Sequence, residues 1–196
     1  MIQLRSAKVL GFALSLIALL SIAASAQQPD ADRNYDITLQ LIIGSNEPGS
    51  KGEVPANLGP ITKQIRSSFD FAGYRLASTF LGRIANNGNF DYNSVASIDG
   101  KDLSSAVPTF LDWSIHDLHA MPGGKGLQAQ GFRFGAKVPV VVGDAAKGQG
   151  VNYENLGVGL NRMGLSENTP TLIGTLHLPG TTGTIFLVMT IRPTDG

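Results

Sequence analysis

Cysteine is absent from the chain. Its absence excludes disulfides, thiolate nucleophiles, cysteine-held metals and a lipid-modified cysteine behind a leader, so an exported domain must hold together by its apolar core alone. Charge is sparse too. Asp, Glu, Lys and Arg make up 15% of the residues, with 15 basic against 15 acidic, and the basic ones are scattered singly. Without clustered Lys and Arg there is no electrostatic footprint for nucleic acid. Also missing are G-x-S-x-G, H-E-x-x-H, a P-loop, and a G-x-G-x-x-G set between a strand and a helix. The common hydrolase, metalloprotease and nucleotide-binding signatures therefore do not apply. No catalytic residue, metal ligand or cofactor is assigned.

What is present begins with a leader. Arg5 and Lys8 precede an apolar run from Val9 to Ile22, and Ala24-Ser25-Ala26 follows. A basic head, a short apolar core and a small-x-small end read as a secretory signal peptide over 1–26, cleaved after Ala26. A membrane anchor is the alternative, but it needs about 20 apolar residues, and Gly11, Ser15 and Ser21 interrupt this run. Residues 27–34 read as a polar tether and 35–196 as one domain, long enough to bury roughly 70% of its unfolded surface. Losing Arg5 and Lys8 would leave 13 basic residues against 15 acidic, a net of −2.

Periodicity sets the fold class. Tyr35, Ile37, Leu39, Leu41 and Ile43 alternate with Asp36, Thr38 and Gln40, which predicts a strand with one wet face. Leu58, Ile61 and Ile65 fall at helical spacing with Thr62, Lys63 and Arg66 opposite, Asn57 as N-cap and Pro60 in the first turn. Two strands, Tyr74 to Ile84 and Phe90 to Ser97, are expected to pair as a hairpin across Asn86-Asn87-Gly88-Asn89. A helix over Tyr74 to Ala85 is the alternative, because Leu76, Phe80 and Ile84 also lie four apart. Further strands are expected at 110–118, 126–134, 137–142, 151–161, 170–178 and 184–192, separated by glycine-rich turns. The sum is an α+β domain, a twisted antiparallel β-sheet or sheets with one main amphipathic helix packed on it.

Val151 to Asn161, VNYENLGVGLN, is unusual for a strand, with three asparagines and two glycines. Its apolar residues also change side after Asn155, to Leu156, Val158 and Leu160. Since one extra residue moves every later side chain to the other face, a bulge or sharp bend is predicted near Asn155 to Gly157, with the glycines serving curvature or close packing.

Candidate surface residues are Trp113, His116, Phe132, Arg133, Phe134 and Tyr153. His116 and His119 flank Asp117, but strand residues three apart face opposite ways, which argues against a shared metal. Trp113 sits between Leu111 and Ile115 in alternation and reads as core or as a stacking platform. Arg133 and Lys137 beside Phe132 and Phe134 can grip an anionic or aromatic ligand, or form a solvated strand face.

KVPVVVG followed by VNYENLGVGLN resembles the secretin pattern of a V-P strand before a Y-x-x-x-G-x-x-L strand, with Tyr153, Gly157 and Leu160 as the matching positions. VPANLGPITKQIRSSFDFAGYRLASTFLGRI likewise resembles periplasmic domains of secretin-type outer-membrane assemblies. The chain also resembles secreted proteins of environmental bacteria that carry related C-terminal strands. The resemblance implies a stand-alone envelope protein with a secretin-like or accessory role; the chain is too short to build a channel, and no catalytic residue is inherited. The leading expectation is an exported, non-enzymatic protein, periplasmic or outer-membrane associated, whose partner is another envelope protein. A small-ligand or glycan-binding module and a hydrolase with an unrecognised site are the competing readings.

Overall fold

The computed structural model describes residues 33–47, 52–96, 107–123, 126–143, 150–179 and 182–194. The expected leader, the first part of the expected tether, Ser97 and the middle of several loops lie outside them.

The described residues form nine strands and one α-helix. They are β1 (Asn34–Ser45), α1 (Gly59–Ser68), β2 (Gly73–Ala85), β3 (Gly88–Ala96), β4 (Thr109–Ala120), β5 (Leu127–Val142), β6 (Gly150–Leu160), β7 (Met163–Leu165), β8 (Thr171–His177) and β9 (Thr184–Pro193), of which β7 was not expected. One sheet runs β2-β1-β9-β8 and the second β3-β4-β5-β6, with β7 beside the start of β5. All pairings between named strands are antiparallel. The inner faces of the two sheets share one core, in which Ile37, Leu39, Leu187 and Met189 of the first sheet join Trp113, Ile115, Phe132 and Phe134 of the second.

α1 covers the other face of the first sheet. Leu58, Ile61 and Ile65 pack with Ile42, Phe186 and Val188, so the far face of β1 is wet at Asp36 and Thr38 but covered from Gln40 onward. Two details differ from expectation. Asn57 lies within a 3-10 turn, Ala56–Leu58, and Leu58 occupies the N-cap without a side-chain bond. Thr62 is buried, because its hydroxyl donates to the Leu58 carbonyl at 2.9 Å and so needs no water.

Asn86 to Asn89 makes a corner where a hairpin was expected. β2 and β3 are consecutive strands, not a helix, but β2 pairs with β1 and β3 with β4. The asparagines explain the turn without a hairpin, since they bond to other strands. Asn86 Oδ1 accepts from the Ala120 N–H at 3.1 Å, Asn89 Oδ1 accepts from the Asp117 N–H at 2.8 Å, and the Asn87 N–H donates to the Leu118 carbonyl at 2.6 Å. Asn87 takes a φ of 59°, a conformation asparagine tolerates better than most residues. Beside the corner, Gly82 leaves room for the Phe90 ring, which a Cβ would meet at 2.4 Å.

The expected bulge in β6 is not formed. β5 and β6 pair without a shift from Phe132 opposite Leu160 to Val142 opposite Gly150. In the second sheet the register shift sits in β4 instead, where His116 and Asp117 together oppose Asn89 between the Phe90–Ile115 and Gly88–Leu118 pairs. Asp117 has a φ of 49°. Burial changes parity at the same level in three neighbouring segments: Ile115 to Leu118, Ala129 to Phe132, and Leu160 to Met163. The second sheet therefore turns as a unit along a line across its strands. β5 also runs unbroken through Gly135, where two strands were expected.

Candidate functional site

The second sheet has no helix packed on its outer face among the described residues. Alternation places Asp112, Ser114 and His116 of β4, Gly131, Arg133, Gly135 and Lys137 of β5, and Asn155, Gly157 and Gly159 of β6 on that side. Cross-strand pairing sets Asp112, Gly135 and Gly157 in one row and Ser114, Arg133 and Gly159 in the next. Together with Asn161 these residues, except the buried Ser114, line a shallow cleft of about 620 Å³.

Its floor is bare backbone. Asp112 lies over Gly135, for a Cβ there would come 2.7 Å from the Asp112 carboxylate. His116 lies beside Gly131 at 3.6 Å by the same measure. Gly157 and Gly159 have no side chain above them, only the Phe134 and Phe132 carbonyls at 3.1 and 4.0 Å from where their Cβ atoms would stand. Among the described residues, no ion pair holds Arg133 or Lys137.

The six expected surface residues separate by parity. Trp113, Phe132 and Phe134 are 1–2% exposed and belong to the core. Trp113 packs against Phe90 and Tyr92, with ring centroids 4.8 and 5.9 Å away. It is not a stacking platform. Nor do Phe132 and Phe134 flank a ligand beside Arg133, because they point to the opposite face; they border the cleft only with backbone. His116 and Arg133 stand on the cleft. Tyr153 lies beyond it, its ring 5.9 Å from Phe110 and its hydroxyl donating to the Pro108 carbonyl at 3.1 Å.

Tyr153 marks a second surface on the same face. β5 and β6 continue past the start of β4 as a two-stranded ribbon, 138–142 paired with 150–154. Pro139 is tolerated in it because β4 has already ended on that edge, so its missing N–H costs no ladder bond. Val141 is 61% exposed, Val142 47% and Val151 44%. Phe110 and Val95, paired with each other, extend this apolar strip toward β3.

Two candidates for chemistry are resolved by geometry. Ser114 Oγ and His116 Nε2 are 3.2 Å apart, but Asp112 is four strand residues from His116, roughly 13 Å along the backbone. A triad needs the carboxylate on the second histidine nitrogen, and Asp112 lies on the far side of the serine. His116 and His119 do not simply alternate across the strand, because the bulge between them resets alternation. His119 nevertheless turns to its neighbour, with Nδ1 3.0 Å from the Asp117 carbonyl and 3.6 Å from its carboxylate. Among the described residues, no three His, Asp or Glu side chains gather as a metal site.

Sequence reasoning missed Asp112, Asn155, Asn161 and the glycine floor. The signal was present in the alternation Gly131-x-Arg133-x-Gly135-x-Lys137 against Phe132, Phe134 and Ala136, a polar, side-chain-poor face opposite an apolar one. Among the described residues, no helix is long and apolar enough to cross a membrane.

No protein-family model matches the chain, and no curated protein matches it. Among solved structures, the chain is similar to the Salmonella SPI-1 type III secretion injectisome secretin InvG, residues 176 to the end in the open gate state. The match covers 93% of this chain and 66% of that one, a little under two thirds of its length, at 10% identity and a TM-score of 0.35.

Proposed function

We propose that the chain is an exported, non-enzymatic module of the bacterial cell envelope that binds another envelope protein through the ribbon of β5 and β6. The ribbon carries the reading. Strand β6 has no proline, no lysine and no bulge, and its single charge is Glu154. Those are the usual means by which an edge strand is kept from pairing with another chain. Along 150–154 no described strand lies on its second edge, and exposed valines crowd the tip. A strand added there would gain main-chain hydrogen bonds and cover Val141, Val151 and Tyr153, the mode known as β-augmentation. The leader over 1–26 supports export. The secretin-like pattern at Tyr153, Gly157 and Leu160 supports an accessory role beside a secretion or pilus assembly.

Site-specific photo-crosslinking in cells tests the proposal. Benzoylphenylalanine at position 141 or 153 is expected to give a discrete adduct with an envelope protein, and the same probe at Lys63, on the exposed side of α1, is expected to give none. Val151→Lys should weaken complex formation at least tenfold. Recovery of the exported protein as an uncrosslinked monomer from every ribbon position overturns the reading.

A further inference from the structure

We infer that the glycine-floored cleft on the outer face of the second sheet binds an acidic sugar, a hexuronate unit of an oligosaccharide. The inference concerns a different surface from the ribbon and stands whether or not the ribbon binds a partner.

Glycine weakens a strand, and it is usually kept for a positive φ, a bulge or a close approach. Gly159 has no such reason. Its φ is not positive, its pairing with Arg133 lies in an unbroken register, and a Cβ would meet nothing nearer than the Phe132 carbonyl at 4.0 Å. Neither the fold nor the packing requires its side chain to be missing. The consequence of the missing side chain is an open, flat floor, continuous with Gly157 one pleat away.

The groups around this floor select the occupant. Arg133 and Lys137 stand on one strand with Gly135 midway between them, neither ion-paired to a described residue. They ask for negative charge. Asp112, whose carboxylate lies over Gly135, asks for hydroxyl or amide donors and repels a second anion. Asn155 supplies both a donor and an acceptor. A polyanion such as an acidic peptide would meet Asp112 unfavourably. A neutral sugar would leave both cations unmatched. A hexuronate satisfies all of them, with its carboxylate on the guanidinium and ammonium, its ring hydroxyls donating to Asp112 and bonding Asn155, and its ring lying flat over Gly157 and Gly159. The cleft falls within the roughly 300–1,000 Å³ range of small-ligand sites.

Calorimetric titration of the purified full chain with tetragalacturonate tests the inference, with maltotetraose and tetraglutamate as the neutral and peptidic comparators. Tetragalacturonate is expected to bind, more weakly as salt is raised, with at least a tenfold loss in Arg133→Ala and in Asp112→Asn. Gly159→Val is the decisive variant. Valine suits a strand, so its urea midpoint should equal or exceed that of the parent while binding is lost. Equal or tighter binding of maltotetraose or tetraglutamate, no binding of tetragalacturonate, unchanged affinity in Gly159→Val, or a lowered midpoint in that variant would each overturn it.

Discussion

Strands β9 and β6 are of similar length and both antiparallel, yet their surroundings differ at almost every position. β9 lies between β1 and β8. Its odd residues Ile185, Leu187, Met189 and Ile191 enter the core between the sheets, and Phe186 and Val188 are covered by α1. β6 borders its sheet, with Val151 to Asn155 exposed on both faces and only Leu156, Val158 and Leu160 turned toward the core. Among the described residues, the outer face of the first sheet is covered by α1 around Ile42, Phe186 and Val188, and that of the second sheet is left open. One α-helix among the described residues packs on one outer face, and a face without such cover must be polar, bare or bound by something else. The second sheet's outer face is divided in this way, polar and glycine-floored at the cleft, apolar at the ribbon.

Changes in the shared core should be the most damaging. Trp113→Ala removes the largest fully buried side chain from its contacts with Phe90 and Tyr92 and is expected to cost about 3–5 kcal/mol, measured by urea denaturation. Retained stability would mean that the second sheet's inner face is not the common core. Next is the helix. Ile65→Ala should cost about 2–5 kcal/mol, with amide exchange rising in α1 and on the covered face of the first sheet, while amides of β5 keep their protection. Equal loosening of both sheets would erase the contrast between them.

At the corner, Gly82→Ala forces the Phe90 ring to move and is expected to cost about 1–3 kcal/mol. Asn89→Ala strips the Asp117 N–H of its acceptor and should cost about 1 kcal/mol, with chemical-shift changes concentrated around Asp117. Smallest is Arg83→Ala. Its ion pair with Asp36, 2.8 Å long but 66% and 50% exposed, should contribute no more than about 0.5–1 kcal/mol. A larger loss in thermal denaturation would show that the wet half of β1 depends on charge more than its exposure implies.

Much of the architecture was legible because it rests on local patterns. Alternation from Tyr35 to Ile43 and helical spacing at Leu58, Ile61 and Ile65 identified their elements, since each period fixes which side chains share a face. The Asn86 to Asn89 segment was legible as a turn but not as a corner. Its outcome depends on Ala120, Asp117 and Leu118, which lie about 30 residues downstream and accept or donate the bonds that a hairpin would have made locally. In β6 the change of apolar side was read as an extra residue. The structure shows a regular strand whose first half has left the core, so no face is buried there. Periodicity describes a strand relative to itself and carries no information about where its neighbours end.

The same limit applies to the sites. Sequence alone placed Arg133 and His116 on a polar face and set aside the standard catalytic motifs, because alternation and motif spacing are properties of a single segment. Which glycines lie opposite one another, and that Asp112 rests on Gly135 while Gly157 and Gly159 stay bare, was decided by cross-strand register. Burial of Trp113, Phe132 and Phe134 likewise required the other sheet to be in place. A strand's own residues determine that it has two different faces; the packing of distant strands determines which face is core and which is left to solvent or a ligand.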